Sequence, residues 1–561
     1  MVRRLVLLWL VLSAVATLPA QQNTGAPVVP EAPIAPPPPL PPVTATDLLD
    51  GLKNPGRWLT YSGDYTGQRH SPLTQITPAN VSRLSSQWTF QAEGMPVARG
   101  FEGTPLMMDG VLYITGNNNY AWAIEARTGR QIWRYRRLLP PALTYGGVNP
   151  SNRGFAALGD KVFMGTLDAH VLALNRDTGK VVWDAVVDDY KVGHAVIAAP
   201  LVVKDKVVVG NSGGDIPTRG FIDAYDAETG KRVWRFYTIP GEGEPGSETW
   251  ARKEELPRGG GATWVTGSYD PASNLIYWGV GNPSPSYFGD DRQGDNLYTA
   301  SIVAIDADTG KLRWHYQFTP HDLHDWDANH VPVLGEVTIG GRQRKVVMMA
   351  NRNGFFYTLD RLTGELLVGK PYTATRWARE IGRDGKPIVL AQGVVPPGGS
   401  EATTPCVPDL RGGTVFNPPS FDPSLQLFFV MARETCAYYT PFRPELLTGK
   451  VVTGGGMKKL ADPDFSALRA LDARSGEMKW EFRLPTSSLA GVMSTASGLV
   501  FAGSQEGDFS AFAARSGKRL WSYRTGSPIW GAAAMTYLLD GRQYVLIESG
   551  STIMAFALPE K

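Results

Sequence analysis

The chain has 561 residues, which is enough for one very large domain or for several ordinary ones. Its 55 Lys and Arg residues nearly balance its 53 Asp and Glu residues, so the charge gives no support for nucleic acid or an anionic membrane as a partner. Gly (62) and Trp (16) are both abundant. Short strands with Gly turns and a recurrent Trp predict an all-β repeat architecture.

The first twenty residues have the layout of a secretory signal peptide, with two arginines, the apolar run Leu5–Val15 and small residues before Ala20. A membrane anchor is the alternative, but the apolar run is too short to span a bilayer comfortably. We therefore expect a signal peptide at 1–20, export to the periplasm and no stable membrane insertion. Residues 21–46 are Pro-rich and predict a stiff linker, followed by a folded domain at 47–561.

Only two cysteines are present, Cys406 and Cys436. In an exported chain a disulfide between them is reasonable, and two separate buried thiols are the alternative. Neither belongs to a CxxCH haem motif, so we expect no cytochrome fused to this chain.

One pattern recurs along the chain: an apolar strand, a turn containing Thr-Gly or Ser-Gly, and a second strand that usually ends in Trp. Alternation of apolar residues on both sides of the turn predicts half-buried hairpin strands, and the Gly suits a left-handed turn position. The copies are AWAIEARTGRQIW (121–133), VLALNRDTGKVVW (171–183), IDAYDAETGKRVW (222–234), IVAIDADTGKLRW (302–314), FYTLDRLTGELLV (356–368), LRALDARSGEMKW (468–480) and FSAFAARSGKRLW (509–521).

Seven such copies predict the blades of a β-propeller, in which each small sheet buries its faces against its neighbours. We expect the repeated Trp to lie between adjacent blades. An eighth blade would form if the C-terminal segment 552–558 pairs with a strand from the region 58–90. The prediction is an all-β, eight-bladed β-propeller with tryptophan-docking repeats, whose long intervals 234–302 and 368–468 build one face.

The stretch TPHDLHDWDANH (319–330) follows the fourth repeat and holds three Asp and three of the seven His residues of the chain. It could be an ordinary polar loop, a carboxylate metal site, or a zinc hydrolase site that uses His321, His324 and Asp325. Taken singly, each of these residues has an ordinary structural role.

Several segments occur in an order that resembles the quinoprotein dehydrogenases of the methanol/ethanol type, which depend on pyrroloquinoline quinone (PQQ). Among them are FEGTPLMMDG (101–110), NRGFA (152–156), GGGATW (259–264), GVGNPSP (279–285), FTPHD (318–322) and ANRNGFFYTLDR (350–361). The resemblance covers nearly everything from Trp58 to Pro559. It implies an eight-bladed propeller with PQQ and a divalent or trivalent metal ion in a central funnel.

The resemblance also implies a set of cofactor-binding residues. Arg153 matches an Arg that grips a PQQ carboxylate, a task that suits its planar fork, and Trp264 matches the indole under the quinone. The implied cofactor-binding residues are Glu102, Arg153, Ser212, Gly213, Gly214, Trp264 and Arg352.

The implied metal ligands are Asp215, Asn282, Asp325 and Asp327. Oxygen-only ligation suits a hard cation such as Ca²⁺. In relatives, the second Asp of the D-x-D arrangement is associated with lanthanides, although some sugar-oxidising relatives carry it without them. The resemblance therefore implies Ca²⁺ or a lanthanide ion.

The chain also departs from the family pattern. No adjacent Cys pair precedes Arg153, and Ile197, Val415 and Leu489 stand where the resemblance implies a Thr, an Asn and a stacking Trp. These losses favour a rival interpretation, a propeller scaffold that has lost its cofactor. The retained Asp325, Asn282 and Arg352 oppose it.

The resemblance implies an enzyme that oxidises a small primary alcohol to an aldehyde, with an aldose or polyol as the alternative substrate. Asp325 and Arg352 would be catalytic: Asp325 takes the hydroxyl proton, and Arg352 stabilises the developing oxygen charge. Electrons would pass to a separate cytochrome c.

Overall fold

The computed structural model describes residues 40–95, 100–141, 143, 150–395, 397–398 and 408–560. The predicted signal peptide, linker residues 21–39 and Cys406 lie outside these residues. Cys436 is disulfide-bonded, and its pairing with Cys406, which lies outside the described residues, stays a prediction.

Helical structure is short in the described part of the chain. The α-helix Ala45–Asp50 is capped at its N-terminus by Thr44, whose hydroxyl accepts a hydrogen bond from the Asp47 N–H at 3.1 Å. None of the described helices has both the length and the apolar character needed to cross a bilayer. The 3₁₀ segments are Gly51–Lys53, Val81–Arg83, Asn117–Asn119, Tyr190–Val192, Ser247–Thr249, Lys253–Arg258 and Ala391–Gly393.

The described residues form eight sheets of four or five strands, which confirms the all-β class. We number them 1 to 8 in chain order. His70–Ser71 and Ser85–Gln91, which precede sheet 1 in the chain, belong to sheets 7 and 8. Sheet 1 consists of Leu106–Met108, Val111–Thr115, Tyr120–Glu125 and Gln131–Arg136; sheet 2 of Ala156–Leu158, Lys161–Gly165, His170–Asn175 and Val181–Val186; sheet 3 of Leu201–Val203, Lys206–Gly210, Phe221–Asp226 and Arg232–Tyr237; and sheet 4 of Ser268–Asp270, Leu275–Val280, Ser301–Asp306 and Leu312–Gln317.

The remaining sheets follow the same antiparallel order, with a small ribbon, Ala378–Ile381 and Pro387–Val389, between sheets 5 and 6. Sheet 5 consists of Val333–Ile339, Arg342–Ala350, Phe355–Asp360 and Leu366–Pro371; sheet 6 of Ser420–Asp422, Leu427–Pro441, Gly455–Asp472 and Met478–Leu484; sheet 7 of Val492–Thr495, Leu499–Gly503, Asp508–Ala513 and Arg519–Arg524, with His70–Ser71 added in parallel; and sheet 8 of Met535–Leu539, Arg542–Ser549, Thr552–Ala557 and Ser85–Gln91.

Sheet 8 joins the two ends of the folded chain. The strand Ser85–Gln91 pairs antiparallel with Thr552–Ala557, with Ser85 opposite Ala557. The predicted pairing of the C-terminal segment with the region 58–90 is therefore confirmed. Because this pairing joins segments far apart in the chain, forming sheet 8 carries the loop-closure entropy of nearly the whole domain.

All seven repeats are hairpins, as predicted, and their tryptophans join neighbouring sheets. In five repeats the indole N–H donates to a backbone carbonyl of the next sheet's hairpin, and the ring lies against that hairpin's Gly. In one example Trp183 donates to the Ala227 carbonyl at 3.1 Å, and a Cβ on Gly230 would lie 2.7 Å from its ring. The same N–H contact is made by Trp88 to Ala126, Trp133 to Arg176, Trp234 to Ala307, Trp314 to Arg361 and Trp480 to Ala514.

Candidate active site

The predicted site residues lie in the connections between strands. In an antiparallel sheet, the start of the first strand, the end of the second and the start of the third lie at the same end of the sheet. Glu102, Arg153, Trp264, Asp325 and Asp327 precede the first strands of their sheets, and the others follow second strands. The topology therefore places all the predicted residues at equivalent ends of sheets 1 to 5.

Arg153 and Glu102 form a buried ion pair, with Nη2 2.7 Å from Oε2 and side chains 4% and 1% exposed. The Arg153 guanidinium carbon lies 4.9 Å from the Trp264 ring centre and 4.5 Å from that of Phe416. Its Nε and Nη1 atoms are buried and have no hydrogen-bond partner among the described residues. A buried guanidinium with two free donors is suited to an incoming anion.

Trp264 lies at the centre of the predicted site. Its indole N–H donates to Asp327 Oδ2 at 3.2 Å, and its ring meets Phe416 edge-on at 5.8 Å. Ile197 packs against Trp264 in one apolar cluster, and Val415 and Leu489 belong to a second cluster against which Trp264 also packs. The three departures from the family pattern therefore surround the predicted floor of the site with aliphatic groups.

Three carboxyl groups, those of Asp215, Asp325 and Asp327, lie close to one another. The Asp215 carboxylate lies close enough to Asp325 to perturb its titration, and Ser286 Oγ donates to Asp215 Oδ1 at 2.9 Å. Burial and the carboxylates of Asp215 and Asp327 raise the pKa of Asp325 well above its usual range. Burial and Asp327 likewise raise the pKa of Asp215. This crowding of negative charge is what a bound cation would relieve.

The segment Ser212–Gly214 brings backbone close to these groups. A Cβ on Gly214 would lie 2.8 Å from the Asn282 side-chain oxygen, so only glycine leaves that oxygen free of contact. The Ser212 N–H donates to the Ala195 carbonyl at 2.7 Å, while its hydroxyl is buried without a partner in the described structure.

Arg352 contacts three residues of the 319–330 stretch: Asp325, Asp327 and His330. Its Nη1 donates to the Asp325 carbonyl at 2.8 Å, and its Nη2 lies 2.9 Å from Asp327 Oδ2. Its backbone N–H donates to His330 Nε2 at 3.2 Å. Burial and Arg352 lower the pKa of His330 to about 3, which keeps that ring neutral and able to accept. The Arg352 Nε is buried and has no partner among the described residues.

The histidines that made the 319–330 stretch conspicuous have other roles. His324 stacks on Trp326 at 4.0 Å between ring centres, and His321 Nδ1 lies 2.9 Å from the Gly294 carbonyl oxygen. In the part of the chain that the structure describes, no group of three His, Cys, Asp or Glu side chains is arranged to hold a metal ion. The zinc interpretation therefore has no support in the described residues. The predicted oxygen ligands do not form such a group either. Asp327 is already paired with Arg352, and Asn282 contributes an amide and not a carboxylate.

Sequence reasoning missed three contributors to this region. Ser286 supports Asp215, His330 supports Arg352, and Asp322 accepts the backbone N–H of Trp326 at 2.8 Å and so fixes the loop that carries Asp325. Asp322 and His330 belong to the 319–330 stretch. Residue type alone does not show whether such a side chain binds a metal ion or holds another residue in place.

Comparison with known proteins identifies the family. The PQQ family model "Glucose/ethanol/alcohol dehydrogenase, beta-propeller domain" matches residues 58–374 and 486–545. The chain belongs to the PQQ-dependent alcohol dehydrogenase family. This quinoprotein is 36% identical over 531 residues to the quinoprotein alcohol dehydrogenase PedH of Pseudomonas putida, covering 91% of this chain and 88% of PedH.

Other relatives agree. The lanthanide-dependent methanol dehydrogenase of Methylacidiphilum fumariolicum is 34% identical over 532 residues, covering 90% of this chain and 86% of the relative. A europium-containing methanol dehydrogenase structure superposes on the quinoprotein with a TM-score of 0.87 and 31% identity, covering 91% of this chain and 100% of that one. The sequence resemblance and the β-propeller fold are thereby confirmed.

The residues of this quinoprotein fit PQQ, a planar quinone that carries three carboxylates. The free donors of Arg153, Ser212 and Arg352 can each meet an anionic or carbonyl oxygen, and Trp264 offers an aromatic face. The segment 144–149, where the family's adjacent Cys pair would stand, lies outside the described residues. The donor set of Asp215, Asn282 and Asp325 is all oxygen and fits a hard cation such as Ca²⁺ or a lanthanide.

Proposed function

We propose that this quinoprotein is a PQQ- and metal-dependent dehydrogenase that oxidises a primary alcohol to an aldehyde. Its eight sheets would be the eight blades of the propeller, docked through the repeated tryptophans. The observation that carries the proposal is the set of buried, unpartnered donors on Arg153, Ser212 and Arg352 beside three crowded carboxyl groups. A scaffold would have no need to leave these donors without partners.

When bound, PQQ supplies the two-electron acceptor for the substrate's hydrogen, and the ion supplies Lewis-acid polarisation. The chain supplies everything else. Asp325 takes the proton of the substrate hydroxyl on its carboxylate, while Asp215 and Asn282 would hold the ion. Arg352 places positive charge where oxygen becomes negative in the reaction. The aliphatic groups of Ile197, Val415 and Leu489 keep water away from this region.

The substrate class and the ion are part of the proposal. PedH is named an alcohol dehydrogenase and another relative a methanol dehydrogenase, which supports an alcohol over an aldose or polyol. The carboxylate of Asp327 beside Asp325 supports a site that accepts a lanthanide as well as Ca²⁺, because a trivalent ion gains more from an additional negative charge.

We further propose that the protein works in the periplasm and passes electrons to a separate cytochrome c. The signal-like sequence at 1–20 and the oxidised Cys436 support an exported protein. A cytochrome is a suitable acceptor because a reduced quinone can return its electrons one at a time.

The test is reconstitution of the purified chain with PQQ and either Ca²⁺ or La³⁺, followed by dye-linked assays on primary alcohols and aldoses. We expect PQQ binding and alcohol-dependent dye reduction. Absence of PQQ binding with either ion would support the scaffold interpretation, and activity on aldoses alone would change the substrate class. Stoichiometric zinc without PQQ binding would overturn the proposal.

A further inference from the structure

Trp530 is an aromatic residue that the site described above does not use. It lies in the connection between the last strand of sheet 7, Arg519–Arg524, and the first strand of sheet 8, Met535–Leu539. That connection occupies the same position in sheet 8 as the connections that carry Arg153 in sheet 2 and Trp264 in sheet 4. The topology therefore places Trp530 at the same end of its sheet as the predicted cofactor-binding residues.

Contacts place Trp530 beside those residues. It is half-buried and packs against the apolar cluster that contains Phe416 and Leu489, on which Trp264 also packs. Its neighbour Gly531 lies directly against the site, because a Cβ there would be 2.5 Å from the Phe416 ring and 3.3 Å from the Glu102 side chain. Gly531 thus borders Glu102 of the ion pair, and Trp530 directly precedes it in the chain.

The polar atom of Trp530 lacks a partner. Its indole Nε1 is buried and has no hydrogen-bond acceptor among the described residues. By contrast, the repeat tryptophans Trp133, Trp183 and Trp234 all donate to backbone carbonyls. An indole N–H is a donor only, and buried ones usually find an acceptor. The ring also lies 5.3 Å from the Arg411 guanidinium carbon, which adds positive charge on this side.

We propose that Trp530 contacts the bound cofactor, giving it an aromatic wall and donating its indole N–H to a carboxylate or carbonyl oxygen. The wall matters because the neighbouring Leu489 offers no ring. This assignment rests on the proposed function, since it requires PQQ to bind beside Trp264 and the Glu102–Arg153 pair.

The test is a PQQ titration of the full-length apoprotein in the presence of Ca²⁺, followed by calorimetry and by the absorbance of the bound quinone. Trp530→Leu, which removes both ring and donor, is expected to raise the Kd about tenfold or more, which corresponds to 1.4 kcal/mol for each tenfold. Trp530→Phe keeps a ring and loses only the donor, so a smaller rise and a shifted quinone spectrum are expected. Trp521→Leu removes a half-buried Trp from the outer strand of sheet 7 and should leave the Kd unchanged.

The outcomes separate this inference from the proposed function. If the unsubstituted protein binds PQQ and both Trp530 variants bind it with the same Kd and spectrum, the role of Trp530 is wrong and the proposed function stands. If the unsubstituted protein binds no PQQ, both fail. Circular dichroism and thermal midpoints establish that each variant is folded, and Trp530→Phe decides the matter if Trp530→Leu does not fold.

Discussion

Arg352 and Asp327 form a buried ion pair, with Nη2 2.9 Å from Oδ2. The same Oδ2 accepts the Trp264 indole N–H, and Oδ1 accepts the Asn282 backbone N–H at 2.7 Å. Both oxygens of Asp327 are thus occupied by donors of the chain. This carboxylate connects the predicted floor of the cofactor site to the metal ligands, and any ion that it binds must share it with Arg352.

Asp327→Ala should separate the two kinds of ion. Because a trivalent ion gains more from a negative ligand, we expect La³⁺-supported activity to fall at least tenfold and Ca²⁺-supported activity to fall less. The measurement is the dye-linked rate after reconstitution with PQQ and each ion. Asp291→Ala is the control, because Asp291 pairs with Arg252 and Arg443 and with none of the site residues. Equal losses with both ions would show that Asp327 serves only to hold Arg352.

Asp325→Asn should remove the proposed base while keeping the shape of the side chain. We expect alcohol-dependent dye reduction to fall by a factor of about 10²–10⁴, the usual contribution of a general base, with PQQ still bound. Rates and the PQQ Kd are measured on the same preparation. Asp384→Asn, in an exposed turn, should behave like the unsubstituted protein. Unchanged turnover in Asp325→Asn would exclude this residue as the base.

Arg153→Lys tests recognition of a cofactor carboxylate. Lysine keeps a positive charge beside Glu102 but lacks the planar fork with its free Nε and Nη1 donors, so the PQQ Kd should rise about tenfold. Titration of apoprotein with PQQ gives the Kd. Arg443→Lys changes an exposed arginine in the same way and should have no effect. A Kd unchanged by Arg153→Lys would assign the buried arginine to structure alone.

Gly230→Ala tests the docking of Trp183 on the neighbouring sheet. Gly230 has φ +70°, and an added Cβ would meet the Trp183 ring, whereas Gly541 has φ +76° with nothing within 4 Å. Both substitutions incur the left-handed backbone cost of about 1–2 kcal/mol, but only Gly230→Ala also displaces the indole. Denaturant unfolding should therefore show a larger loss of the free energy of unfolding for Gly230→Ala. Equal losses would mean that the indole contact contributes nothing measurable.

Local patterns in the sequence were sufficient for the sheets. Alternating apolar residues and a Gly turn identify each hairpin, because strand period and turn geometry depend on neighbours within a few residues. The recurrent Trp also indicated a contact between sheets, because it stands at the same position in six of the seven copies. Even the closing pair of strands, Ser85–Gln91 and Thr552–Ala557, was predicted from the need to complete a final sheet.

The site was only partly predictable. Family motifs indicated which residues to consider, and the topology brings them to equivalent ends of consecutive sheets. The use of each side chain depended on its neighbours in space: Asp215 raises the pKa of Asp325, Asp327 pairs with Arg352, and His324 stacks on Trp326. Trp530 carries no local signal, because a lone Trp looks the same in a core, a loop or a binding site.

The sequence by itself therefore determined the repeat, its hairpins and the family to which the site belongs, since these rest on periodicity and on short ordered motifs. Only the tertiary structure decided which donors remain unpartnered and which carboxylates share their charge. Those properties depend on the distances between side chains of different sheets, and such distances exist only after the sheets have packed.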